Sequence, residues 1–155
     1  MKKTLGFICA ILITVFAIMP NAYAEVQKDY GNLDMNRWVY FASDNNETTD
    51  LLIDITSFDY TPSNNEKLLC NLWICYYKDD NSYDLQNLTV DYFGKTTTCN
   101  SVVLYDKNGN IKTSYTDPVP MPTRIVPSSF GEVIYFVAFP PELMEKLREE
   151  AMKNQ

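Results

Sequence analysis

The run Leu68–Tyr77, LLCNLWICYY, decides the fold. Apart from Asn71 it is apolar at both odd and even positions, so a strand built from it has two faces to cover. A strand sheltered on both sides reads this way, and so does a central strand with one face under a helix. Two shorter strand-like runs precede it, Trp38–Ala42 and Leu51–Ile55, both rich in aliphatic, aromatic or β-branched residues. Ser43–Asp50 carries Asp44-Asn45-Asn46-Glu47, and Thr61–Glu66 carries Pro62-Ser63-Asn64-Asn65. Both read as solvent-facing turns.

Downstream, Asp79–Asn87 is polar and reads as a connection, with strands over Leu88–Phe93 and Thr96–Tyr105. Asp106-Lys107-Asn108-Gly109-Asn110 then separates Val102-Val103-Leu104-Tyr105 from Ile111-Lys112-Thr113-Ser114-Tyr115. This is a hairpin signal, and Asn108-Gly109 suits a type I′ turn, whose two central residues need positive φ. Asp117–Pro127 holds Pro118, Pro120, Pro122 and Pro127, each lacking an N–H donor, so it reads as an extended connector crossing the sheet edge. Val133–Phe139 would make a good strand, but Ser129 and Glu132 have capping-box spacing behind a proline, which favours a helix. A last helix follows Pro140-Pro141; its apolar stripe of Leu143, Leu147 and Ala151 is narrow, so a peripheral position is expected. The fold class is α+β, a small antiparallel sheet of about five to six strands with a helix on one face and this terminal helix beside it.

The N-terminus has the three zones of a secretory signal: Lys2 and Lys3, the apolar run Leu5–Met19, then Pro20-Asn21 and the small-x-small Ala22-Tyr23-Ala24. Fifteen residues as a helix span about 22 Å, short of a hydrocarbon core about 30 Å thick, so cleavage between Ala24 and Glu25 is expected, with no stable membrane anchor. Cys9 precedes most of the apolar run and does not suggest a lipid anchor. The expected organisation is a signal over 1–24, a flexible mature N-terminus over 25–36, one domain over 37–139 and a helical extension over 140–155. Export to the periplasm, the cell surface or the medium follows. Loss of Lys2 and Lys3 takes the formal charge from −7 to −9, which disfavours nucleic acid and anionic lipid as partners.

The chain has no histidine, so it offers no Ser-His or Cys-His nucleophile pair and no imidazole base. Most carboxylates lie in turns beside Asn or Ser, where they are expected to be solvated and unshifted; no catalytic residue is assigned. Asp54 is the exception, standing between Ile53 and Ile55 in a strand, where such a residue more often faces solvent or caps a backbone N–H than performs catalysis. Asp79–Asp84 has the oxygen density of a calcium loop but lacks its turn glycine and its closing glutamate, Val90 or Asp91 standing there instead. With Cys70, Cys75 and Cys99 and no histidine, a zinc site would need a carboxylate ligand, so a disulfide with one spare thiol is the expected use. No metal or cofactor is expected. The eleven tyrosines suit recognition surfaces and sheets alike.

Five features stand in order along the chain: Trp38; Asp54-x-x-Ser57-Phe58; Trp73 within an apolar strand; Tyr105-Asp106-x-x-Gly109; and Ile125-Val126-Pro127-x-Ser129-x-x-Glu132-x-x-Tyr135. The ordered set resembles the surface-adhesin protein E family of small exported bacterial proteins, over about Arg37 to Phe139. The resemblance implies a small antiparallel sheet with a helix packed on one face. Adhesin members of that family bind matrix and plasma proteins such as vitronectin, laminin and plasminogen. Family members often carry a cysteine at the end of the helix, where this chain has Ala138-Phe139, and a tryptophan before the helix proline, where it has Thr123-Arg124. Cys99 resembles the sheet half of the family bridge, which implies a disulfide from Cys99 to either Cys70 or Cys75. The functional expectation is a non-enzymatic exported binding protein, a surface adhesin for host or matrix proteins. The alternative is an exported inhibitor of a basic enzyme such as lysozyme, for which acidic charge and small size also suit.

Overall fold

The computed structural model describes residues 29–31, 33–61 and 67–153. In chain order its elements are β1 Trp38–Ser43, β2 Thr49–Asp54, β3 Asp59–Tyr60, β4 Leu69–Lys78, β5 Tyr83–Asp91, β6 Thr96–Tyr105, β7 Ile111–Thr116, β8 Thr123–Arg124, α1 Phe130–Ala138 and α2 Pro141–Lys153. The strands form one antiparallel sheet of order β1-β2-β4-β5-β6-β7, with β3 pairing β4 and β8 pairing β6. The α+β reading holds. Residues Tyr30–Ala138 make up one unit, and α2 belongs to another. The signal segment, Ala24 and Glu25 included, lies outside the described residues.

Alternation along β4 sorts the core. Cys70, Leu72 and Ile74 point to one face and are fully buried, beside Leu51 and Ile53 of β2 and Leu88 and Val90 of β5. Helix α1 covers this face: Phe130 stacks on Tyr76 at 5.5 Å, Tyr135 stacks on Tyr92 at 5.9 Å, and the Tyr60 hydroxyl donates to the Ala138 carbonyl at 2.7 Å. Full burial of each Leu or Ile contributes about 1.5–3 kcal/mol, so this layer is a large source of stability. The helix starts where the capping residues stand. Ser129 Oγ accepts from the Glu132 N–H, while the Glu132 carboxylate accepts from the Ser128 N–H at 2.8 Å, one residue earlier than in the usual box.

The opposite face carries Trp73, Cys75 and Tyr77 of β4. Cys75 and Tyr77 join Tyr30, Trp38, Leu52 and Tyr83 in a buried cluster. Tyr30 therefore corrects the expected boundary: the segment read as a flexible N-terminus supplies a core residue, and Leu33 packs beside it.

Two further readings change. β5 begins at Tyr83, inside the stretch read as a loop, because Asp84, Gln86 and Asn87 are polar residues on a strand that is only partly covered. The hairpin between β6 and β7 forms, but its turn is not type I′. Gly109 alone in this loop has positive φ, +79°, and Asp106 caps the turn by accepting from the N–H groups of Asn108 and Asn110. The N–H of Gly109 bonds the Asp106 carbonyl and that of Asp106 bonds the Asn110 carbonyl, a longer loop built around a four-residue turn.

The expected disulfide is absent: Cys70, Cys75 and Cys99 are all free. The register gives the reason. Cys99 lies on β6 opposite Leu88, and β5 separates β6 from β4. Two strand spacings are about 9.5 Å, beyond the roughly 7 Å that a disulfide tolerates between Cα atoms. Cys75 moreover points to the opposite face from Cys70. Burial pushes the Cys70 thiol up to about 12 and raises Cys75 further, so both are poor nucleophiles. In the native protein, alkylation at neutral pH is expected to modify Cys99 alone among these three, with Cys70 and Cys75 reacting only in denaturant. A disulfide between any two of them in the native mass spectrum would contradict this.

Three turn carboxylates are shifted, contrary to expectation. Asp44 is lowered mainly by the Thr48 hydroxyl, Asp80 by the Ser82 hydroxyl, and Asp106 by the backbone and side chain of Asn110. A carboxylate whose native pKa is depressed stabilises the fold above its unfolded value and loses that contribution as pH falls through the native one. The thermal midpoint is therefore expected to hold from neutral pH down to about 4 and to fall below it. In the variant Asp44→Asn/Asp80→Asn/Asp106→Asn that acid limb is expected to flatten, which thermal scans across pH would register.

Candidate functional site

The residues with the most specific geometry converge on the sheet face opposite α1. Asp54 ends β2 and is fully buried. Its Oδ2 accepts from Arg37 Nε at 2.6 Å and from the Arg37 Nη2, and its Oδ1 accepts from the Thr56 N–H and hydroxyl at 3.0 and 2.7 Å. Ser57 completes the corner: its hydroxyl donates to the Asp54 carbonyl at 2.8 Å and accepts the Trp73 N–H at 2.8 Å. The Asp-x-x-Ser spacing thus describes a turn that locks the end of β2 to β4. The carboxylate has no spare oxygen for a substrate, so its role is positional. The Arg37 guanidinium, half-exposed, also lies 5.8 Å from the Trp38 ring.

Among the family-like residues, Trp38, Asp54, Ser57 and Trp73 are brought together here. Tyr105 stands further along the same face. It stacks on Tyr83 at 4.5 Å, Tyr83 stacks on Tyr77 at 5.7 Å, and Tyr30 meets Tyr77 edge-on at 5.1 Å. Asp106 and Gly109 build the hairpin turn, and Pro127, Ser129, Glu132 and Tyr135 build the start of α1 and its contact with Tyr92. They shape the fold and do not join the first group.

Sequence reasoning missed two features of this face. One is a second buried carboxylate, Asp50, which accepts from the Tyr30 hydroxyl at 3.3 Å and the Ser43 hydroxyl at 2.6 Å. Burial, and after it the nearby Asp50 charge, holds the Tyr30 phenol protonated far above its ordinary value. The other is a polar ladder beside Trp73. Asn100 Nδ2 donates to Asn87 Oδ1 at 2.9 Å and to Thr89 Oγ1 at 3.0 Å, and Thr89 donates on to Asn71 Oδ1 at 2.6 Å. A bulge places Asn100 in this row, since Asn87 pairs Ser101 while Leu88 pairs Cys99. The one signal available was Asn71, the sole polar residue in the β4 run.

The far edge of the sheet is β7. All six of its residues are exposed, including Ile111 and Tyr115. Within the sheet it pairs with β6 alone. Comparison with models of protein families, with curated proteins and with solved structures returns no match.

Arg37→Met leaves the Asp54 charge buried with only the Thr56 and backbone donors. It is expected to cost about 2–4 kcal/mol, toward the low side for a buried pair because the guanidinium is open to water. The double variant Arg37→Met/Asp54→Asn should recover part of that loss. Denaturant unfolding of both variants measures it; equal loss in the single and double variants would show that the charge is not the cause.

Proposed function

We propose that the protein is an exported, non-enzymatic binding protein of the surface-adhesin E type, recognising matrix or plasma proteins. The observation that carries this reading is the β7 edge. An exposed six-residue strand offers unpaired backbone groups to an incoming chain, with Ile111 and Tyr115 as exposed side-chain anchors. The five ordered motifs and the absence of histidine support it from the sequence side. A partner strand would add to β7 through main-chain hydrogen bonds, with the tyrosine supplying large contact area at small entropic cost.

A second reading, inhibition of a basic enzyme, is favoured by one observation. The β1–β2, β4–β5 and β6–β7 turns lie at the same end of the sheet and gather Asp44, Glu47, Asp79, Asp80 and Asp106 there, offset by Lys107 and Lys112. A lysozyme assay at low and high salt addresses it, since inhibition through that end would weaken steeply with salt.

For the adhesin reading, the immobilised protein is expected to retain vitronectin, laminin or plasminogen above an equally acidic control. Ile111→Lys/Tyr115→Lys is expected to weaken retention about tenfold, since charges on an edge strand block strand addition. Retention no better than the control would overturn the proposal, and retention unaffected by the edge variant would overturn the assignment to β7.

A further inference from the structure

We infer that the open sheet face around Trp73 is a binding site for a neutral glycan, a chain of uncharged pyranose sugars. The site is distinct from the β7 edge and stands on a separate observation. Trp73 is half-buried and packs against the buried aromatic cluster. Directly across β5 stands Asn87, and the ladder Asn100, Thr89, Asn71 continues beside it.

The hydrogen bonds in that ladder run in one direction, from the Asn100 amide through the Thr89 hydroxyl to the Asn71 carbonyl oxygen. This fixes both amides and leaves three groups without a protein partner: the Asn71 Nδ2 donor, the Asn100 Oδ1 acceptor and the Trp73 Nε1 donor. Among the described residues no buried side-chain polar atom lacks a partner, so these three are open to solvent. An aromatic surface bordered by fixed donors and an acceptor matches a pyranose, which has a flat C–H face and a rim of hydroxyls that both donate and accept. The pre-formed ladder means that few side chains need ordering on binding.

Charge selects the kind of sugar. Asp54 is neutralised by Arg37, whereas Asp59 pairs with Asn71 across the sheet and Asp91 follows Thr89 on the same face. These two carboxylates border the Asn71 end. Arg124, exposed in the same row beyond Thr96, offsets one of them, so this end gathers no cationic cluster to hold a sulfated or carboxylated sugar, while an uncharged chain meets no barrier. The groups lie along a sheet face, so longer chains are expected to bind more tightly than single sugars by engaging several units.

The test titrates the purified protein with cello-, malto- and chito-oligosaccharides, and in parallel with a heparin oligosaccharide, following amide and indole NMR signals. At least one neutral series is expected to shift the Trp73 indole N–H and the Asn71 and Asn100 side-chain amides saturably. Asn71→Ala and Asn100→Ala, both at half-buried positions, are expected to weaken that binding about tenfold each with the fold intact. Trp73→Phe keeps an aromatic plane but lacks the N–H, and is expected to fall between. The inference is overturned if no neutral series moves these signals, if heparin is the sole ligand, or if the asparagine variants bind as the parent does. Ile111→Lys/Tyr115→Lys is expected to retain glycan binding, which keeps failure at this face apart from failure at the edge.

Discussion

Everything in the described sheet depends on β4 having two faces that must both be covered. Its even residues are met by α1 and its odd residues by the Tyr30 and Trp38 cluster. Because side chains alternate strictly, a slip of one residue in the pairing of β4 would put Asn71 under the helix and Leu72 on the open side. The aromatic residues add a second constraint. Tyr77, Tyr83 and Tyr105 come from three adjacent strands and stack in register, so each fixes its neighbour's alignment.

The corner at the end of β2 shows how a polar group can serve the same end. Asp54 is buried in company that leaves neither oxygen idle, and through Ser57 it reaches the backbone of β4. Such a group specifies one arrangement of the chain more than it adds net stability, because much of its attraction offsets lost hydration. The residues that the family resemblance singled out divide accordingly. Trp38, Asp54, Ser57 and Trp73 hold one face together, while Ser129, Glu132 and Tyr135 seat the helix on the other.

Much of this was legible in the sequence because it depends on local signals. The two-faced β4 run, the strand ends at Thr96 and Tyr105, the hairpin and the capped helix all follow from composition and spacing over a few residues. What was not legible depends on pairs far apart in the chain. Tyr30 looked like part of a loose terminus because its partner Asp50 lies in another element, and Arg37 gave no sign that it would meet Asp54. β5 was shortened because a partly covered strand carries polar residues that resemble a loop. The cysteine pairing failed for a geometric reason that no spacing reveals: β5 stands between the strands that carry Cys70 or Cys75 and Cys99, where the sequence shows only distance. The ladder of Asn71, Thr89 and Asn100 needed both the register and a bulge to assemble.

One topological fact has a consequence for the order in which the molecule can be made. The strands from β4 to β7 meet through short connections, but α1 comes to rest beside β1, at the opposite end of the domain's sequence. Long-range closure of this kind is slow and unfavourable until most other contacts exist. A chain emerging from its N-terminus therefore has an unfinished first edge and an uncovered apolar layer until its final segments arrive, which keeps it pliable for the whole period of its synthesis.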